Sequence, residues 1–167
     1  LCYNSDMKFE FVKNPTKGAV TIYPVLKKSP IEDGHVKKLV EKLTKAGEFE
    51  SKDGQSFFLY DVTPNLSDRV LLVGFGEEKK LTTASVMETI GSAIKHCHTH
   101  HTAKVALVMP KWLADFGEAV MQAAVLANYQ PSRSYKTGEA LEKMKKRFIE
   151  TIEIVTKESS LKFSKDF

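Results

Sequence analysis

The chain has 167 residues, of which 42% are hydrophobic and 28% charged, and it carries a formal net charge of +4. That length suits one domain with a sizeable core, and that balance sets aside a disordered chain. No apolar run reaches the length of a membrane-spanning helix, so no membrane partner is expected, and the amino end lacks the basic start and apolar centre of a signal peptide. Cys2 and Cys97 are too few and too distant for a disulfide framework, which points to a reducing, cytoplasmic compartment.

Residues 1–6 read as an extension or a disordered terminus, because Met7 opens the first regular pattern. From Met7 to Lys13, Phe9 and Phe11 alternate with Lys8 and Glu10, which predicts a half-buried strand. Asn14-Pro15-Thr16-Lys17-Gly18 is a turn signal, and Ala19 to Leu26 is a second strand. The two together predict a hairpin, with Pro24 pushing the second strand towards an edge or a bulge. Asp33 is placed to cap a helix in which Val36, Leu39, Val40 and Leu43 recur at helical spacing, and Gly47 ends it. Asp53-Gly54 is a turn, followed by a strand from Ser56 to Val62.

Arg69 to Val73 is apolar and branched enough for a fully buried strand, closed by Gly74-Phe75-Gly76. Thr83 to His98 is helical, with a stripe of Val86, Ile90, Ala93, Ile94 and Cys97. Lys104 to Met109 is a short strand stopped by Pro110. Phe116 to Tyr129 is helical and ends before Pro131. Gly138 to Arg147 is a charged stretch, helix or loop, and Phe148 to Thr156 is a final strand. Residues 157–167 have no period and read as the start of a linker. Residues 7–156 thus form one α/β domain. Its sheet is expected to be mixed, largely parallel and covered by helices on both faces.

Several residues invite a chemical reading. Lys95-His96-Cys97-His98-Thr99-His100-His101 holds four of the five histidines. Imidazole and thiolate are zinc or copper ligands, and His96 with His100, or Cys97 with His101, would share a helix face. The plainer reading is a helix carboxyl terminus, where histidines meet free carbonyls and the negative end of the dipole. Gly74-Phe75-Gly76 leaves a buried strand where nucleotide phosphates bind in such sheets. It lacks the third glycine, however, and Glu77 and Glu78 would repel an anion, so a tight turn explains it better. Asp61, Asp68 and Asp115 are cap or turn residues, and Trp112 is a surface anchor or core. Lys143, Lys145, Lys146 and Arg147 make a basic stretch, read as a solvated helix face rather than a nucleic-acid interface. No nucleophile elbow, zinc-protease helix or calcium loop is present. No catalytic, cofactor-binding or metal residue is therefore assigned.

One pattern is more specific. Arg69-Val-Leu-Leu-Val-Gly-Phe-Gly76 followed by Lys80-Leu81-Thr82 resembles the amino-terminal domain of the leucyl (cytosol) aminopeptidases. Gly91-Ser92-Ala93, Val105 to Pro110, Glu118-Ala119, Leu126 to Tyr129, Tyr135-Lys136-Thr137 and Ile152 to Val155 follow in the same order, so the likeness spans roughly residues 7 to 157. It departs at Gln130-Pro131-Ser132-Arg133 and in the histidine-rich helix end. The resemblance implies a macro-domain-like fold placed before a larger catalytic domain. There, two divalent metals, manganese or zinc, activate water against the first peptide bond. It also implies a role in assembling a homo-hexamer and in positioning, with the chain's own carboxyl-terminal catalytic domain as partner. The family's motifs Thr-Phe-Asp-Ser-Gly-Gly and Asn-Thr-Asp-Ala-Glu-Gly-Arg do not occur here, so no metal or cofactor is expected in this chain itself. Two alternatives remain: a free-standing module binding ADP-ribose or a nucleotide, and a nucleic-acid binder.

Overall fold

The structure is a computed structural model; it describes residues 7–61, 66–129, 137–145 and 148–157. Six strands form one sheet in the order β1-β6-β5-β2-β4-β3, where β1 is Lys8–Val12, β2 Val20–Val25, β3 Ser56–Tyr60, β4 Arg69–Gly74, β5 Lys104–Val108 and β6 Thr151–Val155. Only β3 runs antiparallel to its neighbour; every other pair is parallel. The helices are α1 Gly34–Lys45, α2 Thr83–His98, α3 Lys111–Ala114, α4 Gly117–Asn128 and α5 Gly138–Lys145. The mixed, largely parallel α/β fold expected from the sequence is therefore present.

Alternate residues of each parallel strand face opposite ways, and this divides the core in two. Val20, Ile22, Leu71, Val73, Val105, Leu107, Ile152 and Ile154 meet α2 and α4 through Val86, Ile90, Ile94, Val120 and Ala124. On the other face Tyr23, Val25, Val70 and Leu72 meet Val36 and Val40 of α1 and Phe49. Asp33 starts α1 as the sequence indicates: its Oδ1 accepts the backbone N–H groups of His35 at 2.9 Å and Val36 at 3.0 Å. Thr82 and Ser85 form a reciprocal capping box at the start of α2. Each fully buried branched side chain contributes about 1.5–3 kcal/mol of hydrophobic stabilisation, so truncating the central Leu71 to alanine should cost about 2–5 kcal/mol.

The expected hairpin between the first two strands does not form. β1 pairs in parallel with β6 at one edge, and β2 lies two strands further in, between β5 and β4. The turn at 14–18 is real, but it carries the chain across a sheet face. Thr16 donates both its backbone N–H (2.8 Å) and its hydroxyl to the Glu153 carboxylate, and Glu153 is fully buried on β6. A local turn signal cannot show whether the strands on either side of it pair with each other.

Pro24 therefore sits in a central strand, not at an edge. In a parallel strand the N–H and C=O of one residue point to the same side. The Val25 carbonyl accepts from Phe75 beyond β4, so Pro24 faces β5. Pairing of β2 with β5 ends at Ile22 and Leu107, while β5 stays bonded to β6 as far as the Met109 N–H and the Val155 carbonyl at 2.9 Å. The sheet is open where proline has no donor to offer.

Other boundaries shift by a few residues. The strand expected over 56–62 is described as Ser56–Tyr60, and the one over 148–156 as Thr151–Val155. The charged stretch after Gly138 is helical to Lys145, and the short α3 was not foreseen. The terminal segments 1–6 and 158–167, the departure at 130–133 and Tyr135-Lys136 lie outside the described residues.

Candidate functional site

A cleft follows from that opening. It has a volume of about 700 Å³ and lies over the carboxyl ends of β2, β5 and β6, lined by Pro24, Leu26, Ile31, Met109 and Trp112 among others. Here successive connections leave the sheet in opposite directions, the place where open α/β sheets bind ligands. Trp112 packs its ring edge against Phe75, centroids 5.2 Å apart. Tyr23 lies in the floor, and burial, helped by the nearby Asp33 and Glu32 carboxylates, pushes its phenol up to about 12, so it stays neutral at physiological pH. The rim carries Lys13, Lys111 and Lys157 against Glu32, Glu78 and Asp115, and Lys157 pairs with Glu32 at 3.2 Å. The three lysines are matched by three carboxylates, so the cleft is not an anion funnel. Sequence reasoning missed it. Its one signal was Pro24, read there as an edge.

The Gly74-Phe75-Gly76 turn is a structural device. A Cβ on Gly74 would stand 2.2 Å from the Lys52 carbonyl oxygen, and Gly76 has φ +69°. Its N–H groups are already engaged: Gly74 donates to Gln55 at 2.7 Å, Phe75 to Val25 at 2.9 Å and Gly76 to Ser51 at 3.0 Å. No donor of this turn is left to cradle a phosphate.

The histidine cluster disperses. His96 in the last turn of α2 and His100 just past its end do lie together, with ring centroids 5.4 Å apart, and His100 stacks on Phe58 at 3.6 Å. His96 Nδ1 lies 3.2 Å from Ser56 Oγ. The ring of His100 is turned towards β3, and its pKa is held below the ordinary value by burial, then by His96, Arg69 and His101. His98 points the other way, towards Asn128 on α4. His101 is exposed with φ 48°. Cys97 is fully buried, and burial pushes its thiol up to about 12, which removes it as a thiolate ligand or nucleophile. Among the described residues no group of three or more His, Cys, Asp or Glu is placed to hold a metal ion.

Asn128 has a defined role. It is buried, donates from Nδ2 to the Ile149 carbonyl at 2.7 Å and accepts at Oδ1 from the Ile149 N–H at 3.3 Å. Those two backbone bonds set its amide orientation, so the His98 nitrogen facing Oδ1 at 2.9 Å must carry the hydrogen. Burial chiefly, and Lys95, lower the pKa of His98, with the Asn128 bond opposing them.

The remaining candidates take structural parts. Asp61 (φ 51°) donates its N–H to the Asp68 carbonyl at 2.7 Å, and Asp115 follows α3. Arg69 spans two loops, donating to the carbonyls of Gly18 at 2.6 Å and His100 at 3.0 Å. Lys143 pairs with Glu139 one turn away at 2.7 Å, as on a solvated helix face. Lys146 and Arg147 lie outside the described residues.

This architecture defines a macrodomain-like α/β domain. The macrodomain of Mycobacterium tuberculosis DarG superposes over 89% of this chain and 97% of its own, with a TM-score of 0.53 and 13% identity. The bottromycin maturation enzyme BotP superposes over 85% of this chain and 28% of its own, with a TM-score of 0.58 and 16% identity. Residues 20–138 match the model of the cytosol aminopeptidase family, N-terminal domain. The chain belongs to that family, as its amino-terminal domain. A probable cytosol aminopeptidase of Ralstonia pickettii is 32% identical over 126 residues, which is 67% of this chain and 25% of the relative. A second, from Psychromonas ingrahamii, is 39% identical over 64 residues, 38% of this chain and 12% of the relative. The chain thus spans about a quarter, or less, of the length of these curated relatives. No helix of the described residues is long and apolar enough to cross a membrane.

Proposed function

We propose that the chain is a non-catalytic domain that assembles and positions a cytoplasmic leucyl aminopeptidase. The full-length protein removes amino-terminal residues from peptides with two divalent metals held in a carboxyl-terminal domain. The match of residues 20–138 to the family's amino-terminal domain carries this reading. The relatives' name, cytosol aminopeptidase, supports both the activity and the compartment. The described residues offer no fit for a metal pair, and no catalytic step is routed through them. Their part is to present a rigid sheet and its surfaces to the partner domain and to other copies in a hexamer.

The test starts with the coding sequence beyond Phe167. A continuation carrying Asn-Thr-Asp-Ala-Glu-Gly-Arg, and a full-length product that cleaves leucyl p-nitroanilide and loses that activity with a chelator, support the reading. A full-length protein without such activity at any added divalent metal overturns it.

The likeness to the DarG macrodomain and the position of the cleft favour one second reading, an ADP-ribose or nucleotide binder. Calorimetric titration with ADP-ribose decides it. Heat that vanishes in Trp112→Ala supports it, and a flat titration ends it.

A further inference from the structure

The two edges of the sheet are not alike. At one, β1 carries exposed Lys8 and Glu10, charges that discourage another strand from pairing there. At the other, β3 reads Ser56-Phe57-Phe58-Leu59-Tyr60, with no charge and no proline, and Tyr60 is 65% exposed.

Asp61 donates to Asp68, and Gln55 accepts from Gly74. In an antiparallel ladder every second residue bonds to the neighbour, so Phe57 and Leu59 bond to Leu72 and Val70. The N–H and C=O groups of Ser56, Phe58 and Tyr60 then point out of the sheet, and among the described residues none has a partner for them. The side chains above this edge form an aromatic row. Tyr60 meets Phe58 edge-to-face at 5.2 Å, and Phe58 stacks on His100 at 3.6 Å.

We propose that the outer edge of β3 is a two-fold contact at which a second copy of this chain adds its own β3, antiparallel and centred on Phe58. Such a pairing is isologous: Phe58 exchanges both backbone bonds with its equivalent, and Ser56 exchanges with Tyr60 of the partner. An uncharged five-residue strand is its own complement there, because no like charges come to face one another within it. An extended peptide of different sequence is the weaker occupant. Edge-strand peptide recognition draws its specificity from pockets beside the edge, and no β3 residue lines the cleft over β2, β5 and β6. The contact names a surface for the self-association that the preceding reading expects, yet it stands on this chain's geometry alone. Its failure would leave the peptidase reading untouched.

The experiment is sedimentation of the 167-residue chain over a concentration series, together with amide exchange. The mass should move from 18.8 kDa towards twice that. The Phe58 and Tyr60 amides should gain protection as it does, while those of Phe57 and Leu59 stay protected throughout. The double variant Ser56→Lys, Tyr60→Lys puts lysines opposite each other across the contact and should remain a single chain. Ser56→Glu with Tyr60→Lys puts opposite charges there and should restore the pair. Both positions are exposed, so the fold should survive, which an unchanged thermal midpoint checks. A single-chain mass for the wild type, a paired double-lysine variant, or a charge-swapped variant that stays single overturns the proposal. So does a monomer whose Phe58 and Tyr60 amides are protected only by added uncharged peptide, which would assign the edge to a peptide.

Discussion

Glu153, fully buried on β6, receives both the backbone N–H and the hydroxyl of Thr16 from a turn 137 residues away in sequence. This holds the β1–β2 connection against the sheet, so that β1 reaches its place beside β6. Replacing Glu153 with alanine leaves the Thr16 N–H without its acceptor and empties the space of a buried side chain. The loss should be about 2–4 kcal/mol, given the cost of leaving a donor without its acceptor and the cavity left behind. Glu153→Gln keeps an acceptor and should lose less. Urea unfolding ranks the three proteins, and equal midpoints for wild type and Glu153→Ala would show that the contact does not hold the connection.

The close approach of Lys52 to β4 makes a sharper demand. A methyl group at Gly74 would meet the Lys52 carbonyl oxygen at 2.2 Å, a distance that forces backbone movement. Gly74→Ala should cost on the order of 4 kcal/mol or prevent folding, in the range kept for severe overpacking. Gly76→Ala meets nothing closer than 3.5 Å but carries φ +69°, so its cost should be about 1–2 kcal/mol. Thermal denaturation of both variants tests the order, and Gly76→Ala proving the worse would contradict it.

His98 links stability to acidity. Its folded pKa lies below its ordinary value, chiefly through burial, so the folded state resists taking up the proton that the unfolded chain accepts. The unfolded state then binds more protons, and stability rises with pH through the region of the ordinary value, about 6.5. On acidification the contribution is lost below about pH 6.5. His100 has the same sign. The wild type should therefore melt lower at pH 5 than at pH 7. His98→Gln, which keeps a donor for Asn128, should show a shallower fall. Scanning calorimetry across that range checks this, and parallel profiles for the two proteins would sink the assignment.

Cys97 is sealed in the main core with its thiol pushed up to about 12. In a Cys2→Ser background, so that one thiol remains, a disulfide reagent at pH 8 should leave the native chain unreacted. The same reagent should titrate one thiol per chain in denaturant. Rapid reaction under native conditions would mean that α2 opens away from the sheet. The measurement also separates Cys97 from any part in a histidine metal site.

Much of this protein is legible locally. The spacing of Val36 and Val40 after Asp33, the stripe from Val86 to Cys97 and the apolar run Val70 to Val73 determine elements whose faces are one-sided, because period and polarity act within a few residues. The order of motifs from Arg69 onward likewise carries the family resemblance in the sequence itself. Tertiary structure decided what depends on distant partners. The strands flanking Asn14 to Gly18 pair not with each other but with β6 on one side and with β5 and β4 on the other, and Glu153 reaches the Thr16 turn between them. Pro24 is tolerated in a central strand because the pairing of β2 with β5 ends before it, at Ile22 and Leu107. The four clustered histidines part because a helix sends His98 to α4 and His96 with His100 to β3. Spacing along a chain fixes which side of a helix a residue occupies, but the neighbours packed against that side decide what the residue does.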